Sequence, residues 1–155
     1  MIKINDEINE ICADLLERYK QSLKDNNHIA SGNLYNTASY KTNINGSWFE
    51  LTFVLDEAWR YVENGTRPHF PPIDAIERWI QVKRIVPRTV TDKVPTTRQL
   101  AFLISREISV NGTKPTKLLQ KTIDGADDLI SLMLDELANQ MQEQINEEIE
   151  NTVKQ

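Results

Sequence analysis

Residues 58–72 read Ala-Trp-Arg-Tyr-Val-Glu-Asn-Gly-Thr-Arg-Pro-His-Phe-Pro-Pro. This stretch joins a strand-like region to a helix-like region, so it decides how the two parts of the fold meet. Gly65 can take the positive φ angle of a tight turn, and the three prolines restrict the backbone after it. The pattern predicts a rigid loop. Two interpretations stay open: the loop presents Arg67, His69 and Phe70 to a partner, or it is a fixed crossover between a hairpin and a helix.

Upstream of this loop, Asn45-Gly46 separates two strand-like segments, 37–45 and 47–55. Asn-Gly favours a tight hairpin turn, because both residues tolerate positive φ angles. We therefore predict an antiparallel β-hairpin around Asn45-Gly46. Alternation predicts which side chains of the second strand face the core: Phe49, Leu51, Phe53 and Leu55.

The N-terminal region carries apolar side chains at three- and four-residue steps from Ile4 to Leu23. This spacing predicts an amphipathic helix of about six turns, which ends at the turn-forming residues Asp25-Asn26-Asn27. Cys12 is the only cysteine. Its apolar neighbours predict a small core residue in a reducing compartment. Ser31 is a candidate cap for a helical turn that follows.

Three further helices are predicted around and after the loop. The first is short, covers 58–64 and ends at Gly65, and the second begins near Pro72. The third begins at a cap, either Thr96 or Thr97, and ends at Asn111-Gly112. Residues 86–95 contain two prolines and several β-branched residues, so we predict a linker there. From Thr116 onward the chain is predicted to be helical again. We find no internal repeat.

A narrow apolar stripe follows Ile130: Met133, Leu134, Leu137, Met141, Ile145 and Ile149. Its first half is expected to cover the sheet, and a stripe this narrow also suits packing on another subunit. Residues 138–155 are expected to form an extended or frayed C-terminal helix, with fraying over 151–155. The elements together predict one α+β domain over 1–155, a small antiparallel sheet packed by several helices, with long helices at both ends.

Charge is distributed unevenly along the chain, whose formal net charge is −5. Basic residues predominate from Arg60 to Lys121, whereas nine acidic residues follow Thr122 against Lys154 alone. This asymmetry fits head-to-tail contact between copies, and it equally fits two differently solvated surfaces. The sequence shows neither the roughly 20 apolar residues of a membrane span nor the apolar stretch of a signal peptide. We therefore expect no membrane partner.

The sequence contains no group of residues that is typical of a catalytic or metal site. His28 and His69 lie in loops without a second ligand at metal-binding spacing. Asp124, Asp127 and Asp128 are the best candidates for a divalent-cation site, although a solvated helix face explains them. A nucleophile elbow and a phosphate-binding glycine loop are both missing from the sequence. The sequence predicts a protein that is not an enzyme and that has no metal and no cofactor.

Several short elements occur in a characteristic order: Ser31-Gly32-Asn33-Leu34, the hairpin, Tyr61-Val62-Glu63-Asn64-Gly65-Thr66, Pro71-Pro72, Ile76, Trp79-Ile80, Lys83 and Asn111-Gly112-Thr113-Lys114-Pro115. This order resembles the tail-completion and head–tail joining (neck) proteins of tailed bacteriophages. The resemblance covers residues 31–124. It is centred on 62–66, which match the Val-Glu-x-Gly-Thr end of the family's central element.

The resemblance implies an α+β fold and a structural virion protein of the neck or tail, assembled in the host cytoplasm. Identical subunits would form a ring between the portal-side connector and the tail proteins, and genomic DNA would pass through the ring without being read. Glu63, Gly65 and Thr66 would form a structural turn near the subunit interface. The implied interface or turn residues are Tyr61, Val62, Glu63, Gly65, Thr66, Arg67, Pro68, Phe70, Pro71 and Pro72.

Two other functions stay open. The basic middle and the tryptophans would suit a nucleic-acid-binding adaptor, in which Trp48, Trp59 and Trp79 are stacking platforms. Core packing is the simpler expectation for these tryptophans, because Trp59 and Trp79 occupy periodic positions of their helices. A carboxylate-dependent nuclease or hydrolase built on Asp124 and its acidic neighbours is the enzymatic alternative.

Overall fold

The computed structural model of the chain describes residues 4–45, 48–89 and 93–153. These residues form the following elements: α1 (Asp6–Asp25), α2 (Asn33–Thr37), β1 (Ser39–Asn45), β2 (Trp48–Val54), α3 (Trp59–Asn64), α4 (Ile73–Val82), α5 (Thr97–Asn111), α6 (Leu118–Asp124) and α7 (Asp127–Val153). The predicted α+β class is confirmed: a two-stranded antiparallel sheet is combined with long helices near both ends of the chain.

The hairpin forms where the alternating pattern predicts it. Strands β1 and β2 pair antiparallel, from Ser39 with Val54 to Asn45 with Trp48. The predicted turn falls partly on Gly46, which lies outside the described residues. The exposure of side chains along β2 alternates, and the predicted inward-facing set packs on the core: Phe49, Leu51, Phe53 and Leu55.

Helix α1 is the central element of the fold, because its buried face contributes side chains to each of the two hydrophobic core clusters. Asn5 caps its first turn, since the Asn5 side chain accepts a hydrogen bond from the backbone N–H of Ile8 at 2.9 Å. Cys12 is fully buried, as predicted, and burial raises the pKa of its thiol. The first cluster joins α1, the start of α7 and the inner face of the hairpin through Ile8, Ile11, Cys12, Leu15, Ala126, Leu129 and Met133.

The second core cluster lies at the other end of α1. It joins α1 to α2 and α6 through four buried side chains: Tyr19, Leu23, Leu34 and Leu118. Trp59 and Val62 of α3 pack against this cluster. The short helices therefore cover the C-terminal end of α1, whereas the sheet and α7 cover its N-terminal half.

Helices α4 and α5 pack on each other as a helical hairpin. Ile80 of α4 and Ala101 of α5 are both buried. The predicted cap at Thr96 is confirmed as a capping box: Thr96 Oγ1 accepts from the backbone N–H of Gln99, and the Gln99 side chain accepts from that of Thr96. The described residues of the predicted linker 86–95 contain no helix.

The C-terminal helical region differs from its prediction in one respect. A break at Gly125 divides it into α6 and α7, and the Gly125 N–H bonds the carbonyl of Lys121. The first half of the stripe packs in the first core cluster, which the inner face of the sheet also contacts, since Met133 is buried and Leu137 packs on that cluster. Helix α7 continues to Val153, so three of the residues predicted to fray are helical. Among the helices of the described ranges, none is both long and apolar enough to cross a membrane.

Candidate functional site

The loop at residues 58–72 begins with α3 and turns sharply at Gly65. The Gly65 N–H bonds the carbonyl of Tyr61 at 2.9 Å and closes the helix. Gly65 has φ 66° and ψ −168°, a backbone region that is essentially restricted to glycine. The predicted helix stop and the positive φ angle at Gly65 are both confirmed.

The residue after this turn pairs with a distant part of the chain. The backbone N–H of Thr66 bonds the carbonyl of Thr113 at 3.1 Å, and the N–H of Thr113 bonds the carbonyl of Thr66 at 3.1 Å. Their hydroxyl oxygens lie 3.0 Å apart. Thr113 follows Gly112, which ends α5 with φ 66° and ψ −158°. We call the pairing of Gly65-Thr66 with Gly112-Thr113 the Gly-Thr clasp.

The two halves of the clasp come so close that neither glycine has room for a side chain. A Cβ atom on Gly65 would lie 2.1 Å from the Thr113 carbonyl oxygen, and one on Gly112 would lie 2.1 Å from that of Thr66. Both halves carry the same pattern, Asn-Gly-Thr-basic-Pro, at 64–68 and 111–115. The expectation that the chain contains no internal repeat is therefore wrong at this scale, and this five-residue pattern is the signal that would have predicted the pairing.

Glu63, two residues before Gly65, links α3 to α6. Its side chain is buried, and its carboxylate accepts hydrogen bonds from the backbone N–H groups of Leu119 at 2.8 Å and Gln120 at 3.1 Å. Glu63 thus caps the first turn of α6, whose own N-terminal neighbour Lys117 has a left-handed conformation and no capping side chain. Burial, and secondarily the charge of Glu63, raises the pKa of Tyr19 to about 12.

Further hydrogen bonds tie α3 to the segment after the clasp. The carbonyl of Val62 accepts from the backbone N–H of Thr116 at 3.2 Å and from its hydroxyl at 2.6 Å. Lys117 bonds back to α3 twice, from its N–H to the carbonyl of Glu63 and from Nζ to the Asn64 side chain at 3.0 Å. Two motifs of the sequence resemblance, 62–66 and 111–115, therefore form a single structural unit.

The proline-rich part of the loop lies on the surface beside the clasp. Arg67, Pro68 and His69 are exposed, whereas Pro71 is buried and Pro72 precedes the first residue of α4. Phe70 is 51% exposed, and its ring lies 6.2 Å from that of Phe102 on α5. Both interpretations of the loop are therefore compatible with the structure, because a fixed crossover also presents exposed side chains.

A cavity of about 430 Å³ lies next to α3, and several elements of the resemblance line it: Ser31, Gly32, Asn33, Leu34, Tyr61, Val62, Trp79 and Lys83. The prediction that Ser31 caps α2 is wrong. The N-cap position of α2 is Gly32, with φ 86°. The Ser31 hydroxyl instead accepts a hydrogen bond from the Asn33 N–H at 3.4 Å.

Lys83 and His28 line this cavity together with Asp56. Lys83 Nζ donates to the backbone carbonyl of Asn27 and to its side-chain oxygen, the latter at 3.1 Å. Burial lowers the pKa of Lys83, and burial together with the nearby Lys83 charge lowers the pKa of His28. His28 therefore favours its neutral form near the Lys83 ammonium.

The acidic residues considered as a cation site are used differently. Asp128 forms a bidentate pair with Arg18, at 2.8 and 2.6 Å, which lowers the pKa of the carboxyl group. Asp124 accepts from the Gln120 side chain at 2.8 Å. Within the described ranges, no group of three His, Cys, Asp or Glu side chains has the arrangement of a metal site.

The tryptophans divide into two groups. Trp59 packs on the second core cluster as expected. Trp48 is 79% exposed at the end of the hairpin, and Trp79 is 39% exposed on α4, so the core expectation is wrong for both. Trp79 was misassigned because α4 packs mainly on α5, which leaves part of its apolar stripe uncovered.

No protein-family model matches this chain, and no curated protein and no solved structure is significantly similar to it. The clasp, its buried Glu63 cap and the exposed loop beside it are therefore the features on which a function has to be argued.

Proposed function

We propose that this protein is a structural subunit of the neck of a tailed bacteriophage. Copies of the chain would form a ring between the portal-side connector and the tail, through which DNA passes without being read. One observation carries the proposal: two motifs of the resemblance, 62–66 and 111–115, meet in the Gly-Thr clasp although Thr66 and Thr113 are 47 positions apart in the sequence.

The surface around the clasp supports a role in binding other proteins. Tyr61 is 65% exposed and Phe70 is 51% exposed, and the exposed Arg67 lies between them in the sequence. Aromatic and arginine side chains are enriched where proteins bind each other. Because the clasp and its prolines fix the backbone beneath these side chains, little conformational entropy is lost on docking. The proposal assigns no reaction, metal or cofactor to this surface.

The test is assembly with the proposed neighbours. Purified protein, mixed with the portal-side connector and the tail proteins, is expected to give rings in negative-stain images and a fixed stoichiometry in native mass spectrometry. Tyr61→Asp is expected to weaken this binding without lowering the melting temperature. Trp48→Asp is the matched control, since Trp48 is exposed at the end of the hairpin. A protein that stays monomeric and binds neither neighbour would contradict the proposal.

A second candidate, a nucleic-acid-binding adaptor, is favoured by one feature. Residues 67–117 carry ten Lys and Arg against four Asp and Glu, and Trp79 is partly exposed within this region. Phosphate contacts by basic side chains make affinity fall steeply as salt rises. Titration of single- and double-stranded DNA at increasing salt tests this function, and absence of binding at low salt would eliminate it.

A further inference from the structure

Exposed apolar side chains are concentrated in two parts of the molecule. Of the eighteen large hydrophobic residues exposed in the described ranges, nine lie between Phe70 and Val110 and six lie on α7. Single exposed apolar residues are ordinary, but a concentration of them marks a surface that is covered in the functional state. The two regions therefore need a covering partner.

The second half of α7 extends past the core. Leu137 is its last residue that packs on the first cluster, and Glu136 bonds Asn5, the cap of α1, at 2.5 Å. At 1.5 Å per residue, the helix continues for roughly 24 Å beyond this point. Met141, Ile145 and Ile149 recur every four residues on this extension and are 50%, 49% and 56% exposed. Most helical stability in proteins comes from packing of an apolar face, and the residues beyond Leu137 pack on neither core cluster, so the stripe calls for a partner.

Helix α5 has an exposed face of similar character. Leu103, Arg106 and Val110 follow one another at three- and four-residue steps and so share a face; Leu103 is 51% and Val110 is 65% exposed. Phe102 and Ile73 line a cleft of about 530 Å³ next to Leu103. This face can accept an apolar helix stripe along its length.

The two segments that carry these surfaces have opposite net charge. Helix α7 carries eight acidic residues and no basic one, whereas residues 67–117 carry ten basic residues against four acidic ones. Pairing of α7 with α7 of another copy would bring like charges together, which is unfavourable. On α7 the acidic Glu148 lies between Ile145 and Ile149, much as the basic Arg106 lies between Leu103 and Val110.

We infer that the second half of α7 in one copy docks on the exposed face of α5 in a second copy. We take the contact to be head-to-tail, which leaves one free surface of each kind on every dimer. Such contacts close into a ring when the rotation between copies permits. The inference builds on the ring of the proposed function and identifies the surfaces that join its subunits.

The experiment uses two variants of the full chain, Ile145→Asp and Leu103→Asp. Both positions are about half exposed, so folding is expected to persist and is checked by circular dichroism. Sedimentation velocity is expected to show concentration-dependent association of the wild type, weakened by salt. Each variant alone is expected to be monomeric. Their equimolar mixture is expected to form a dimer that does not grow, because only one competent surface of each kind remains.

Leu132→Asp is the matched control, because Leu132 is 56% exposed on α7 but lies away from the Ile145 stripe. It is expected to associate like the wild type. Three results would overturn the inference: a wild type that is monomeric at all concentrations, a Leu103→Asp variant that associates normally, or a mixture that stays monomeric. If the Ile145→Asp variant formed rings with the connector, the assignment of these surfaces to the subunit contact would be wrong, although the proposed function would stand.

A second measurement does not depend on disruptive substitutions. Cys12 is fully buried, so it contributes no accessible thiol. Leu103→Cys and Ile145→Cys proteins, mixed in equal amounts and oxidised, are expected to give a disulfide-linked heterodimer well beyond the twofold excess over either homodimer that random pairing produces. A heterodimer yield of only twice that of each homodimer would indicate random collision and would contradict a specific contact.

Discussion

Gly65 and Gly112 are the two residues that allow the two segments of the Gly-Thr clasp to approach each other closely. Each combines a backbone region restricted to glycine with a backbone oxygen that would lie 2.1 Å from an added Cβ atom. The two constraints are separate, since conformational strain acts within the residue and the close approach acts between segments. Gly32 has the first constraint in a milder form and meets only the Asn36 side chain.

Substitution at these glycines separates the two constraints. Gly65→Ala is expected to lower the free energy of unfolding by more than about 3 kcal/mol, because the clasp has to open. Gly32→Ala is expected to cost about 1 kcal/mol, since a flexible side chain can move away. Urea denaturation at neutral pH measures both values. Equal losses in the two variants would show that the close approach contributes nothing.

Tyr19 gives a prediction for alkaline pH. Its pKa is raised to about 12 mainly by burial, so the folded protein holds this proton more tightly than the unfolded chain. The stabilisation is complete below the unfolded pKa near 10 and is lost as pH rises towards 12. Between these values wild type is expected to lose on the order of 2 kcal/mol more than Tyr19→Phe.

The matched control is Tyr61→Phe, because Tyr61 is 65% exposed. Its free energy of unfolding is expected to follow that of the wild type from pH 9 to about 12. Denaturant titrations at several pH values give the comparison. If Tyr19→Phe and Tyr61→Phe show the same pH dependence, burial of Tyr19 does not govern alkaline stability.

At the scale of elements, α3 and α6 depend on one shared carboxylate. Glu63→Gln keeps the side-chain shape but replaces one oxygen with an amide that cannot accept the second N–H of α6. The substitution is expected to cost about 1–3 kcal/mol and to speed amide exchange at Leu119 and Gln120. Glu57→Gln, at an exposed position before α3, is expected to change neither value. Unchanged exchange at Leu119 in Glu63→Gln would contradict the capping role.

The elements themselves could largely be predicted, because their signals are local. Alternation gave the inward face of β2, helical spacing gave α1, and Thr96 with Gln99 marked the start of α5. The pairing of Thr66 with Thr113 and the capping of α6 by Glu63 are contacts between distant segments, and helical periodicity carries no information on them. The sequence did not predict that Trp79 is exposed, because the apolar periodicity of a helix does not identify the element that packs on its apolar face.

At the scale of the whole molecule, α7 has two parts with different roles. A chain that ends at Gln140 keeps every α7 residue that packs on the core and the Asn5–Glu136 hydrogen bond. Its melting temperature is expected to stay within about 4 °C of that of the full chain, a shift equivalent to under about 1 kcal/mol. Its self-association is expected to disappear. A large drop in melting temperature, measured by calorimetry, would show that the extension stabilises its own subunit.

The Gly-Thr clasp also has a topological consequence. The α4–α5 hairpin leaves the rest of the chain at Thr66 and returns at Thr113, and these two residues are already hydrogen-bonded neighbours. The closure of a loop of this length costs only about 3 kcal/mol of chain entropy, and a longer loop costs little more. The segment between Thr66 and Gly112 is therefore arranged as an insertion. It is expected to tolerate lengthening without displacement of either core cluster, because none of its residues belongs to a cluster and the strand-like bridge at its base stays the same.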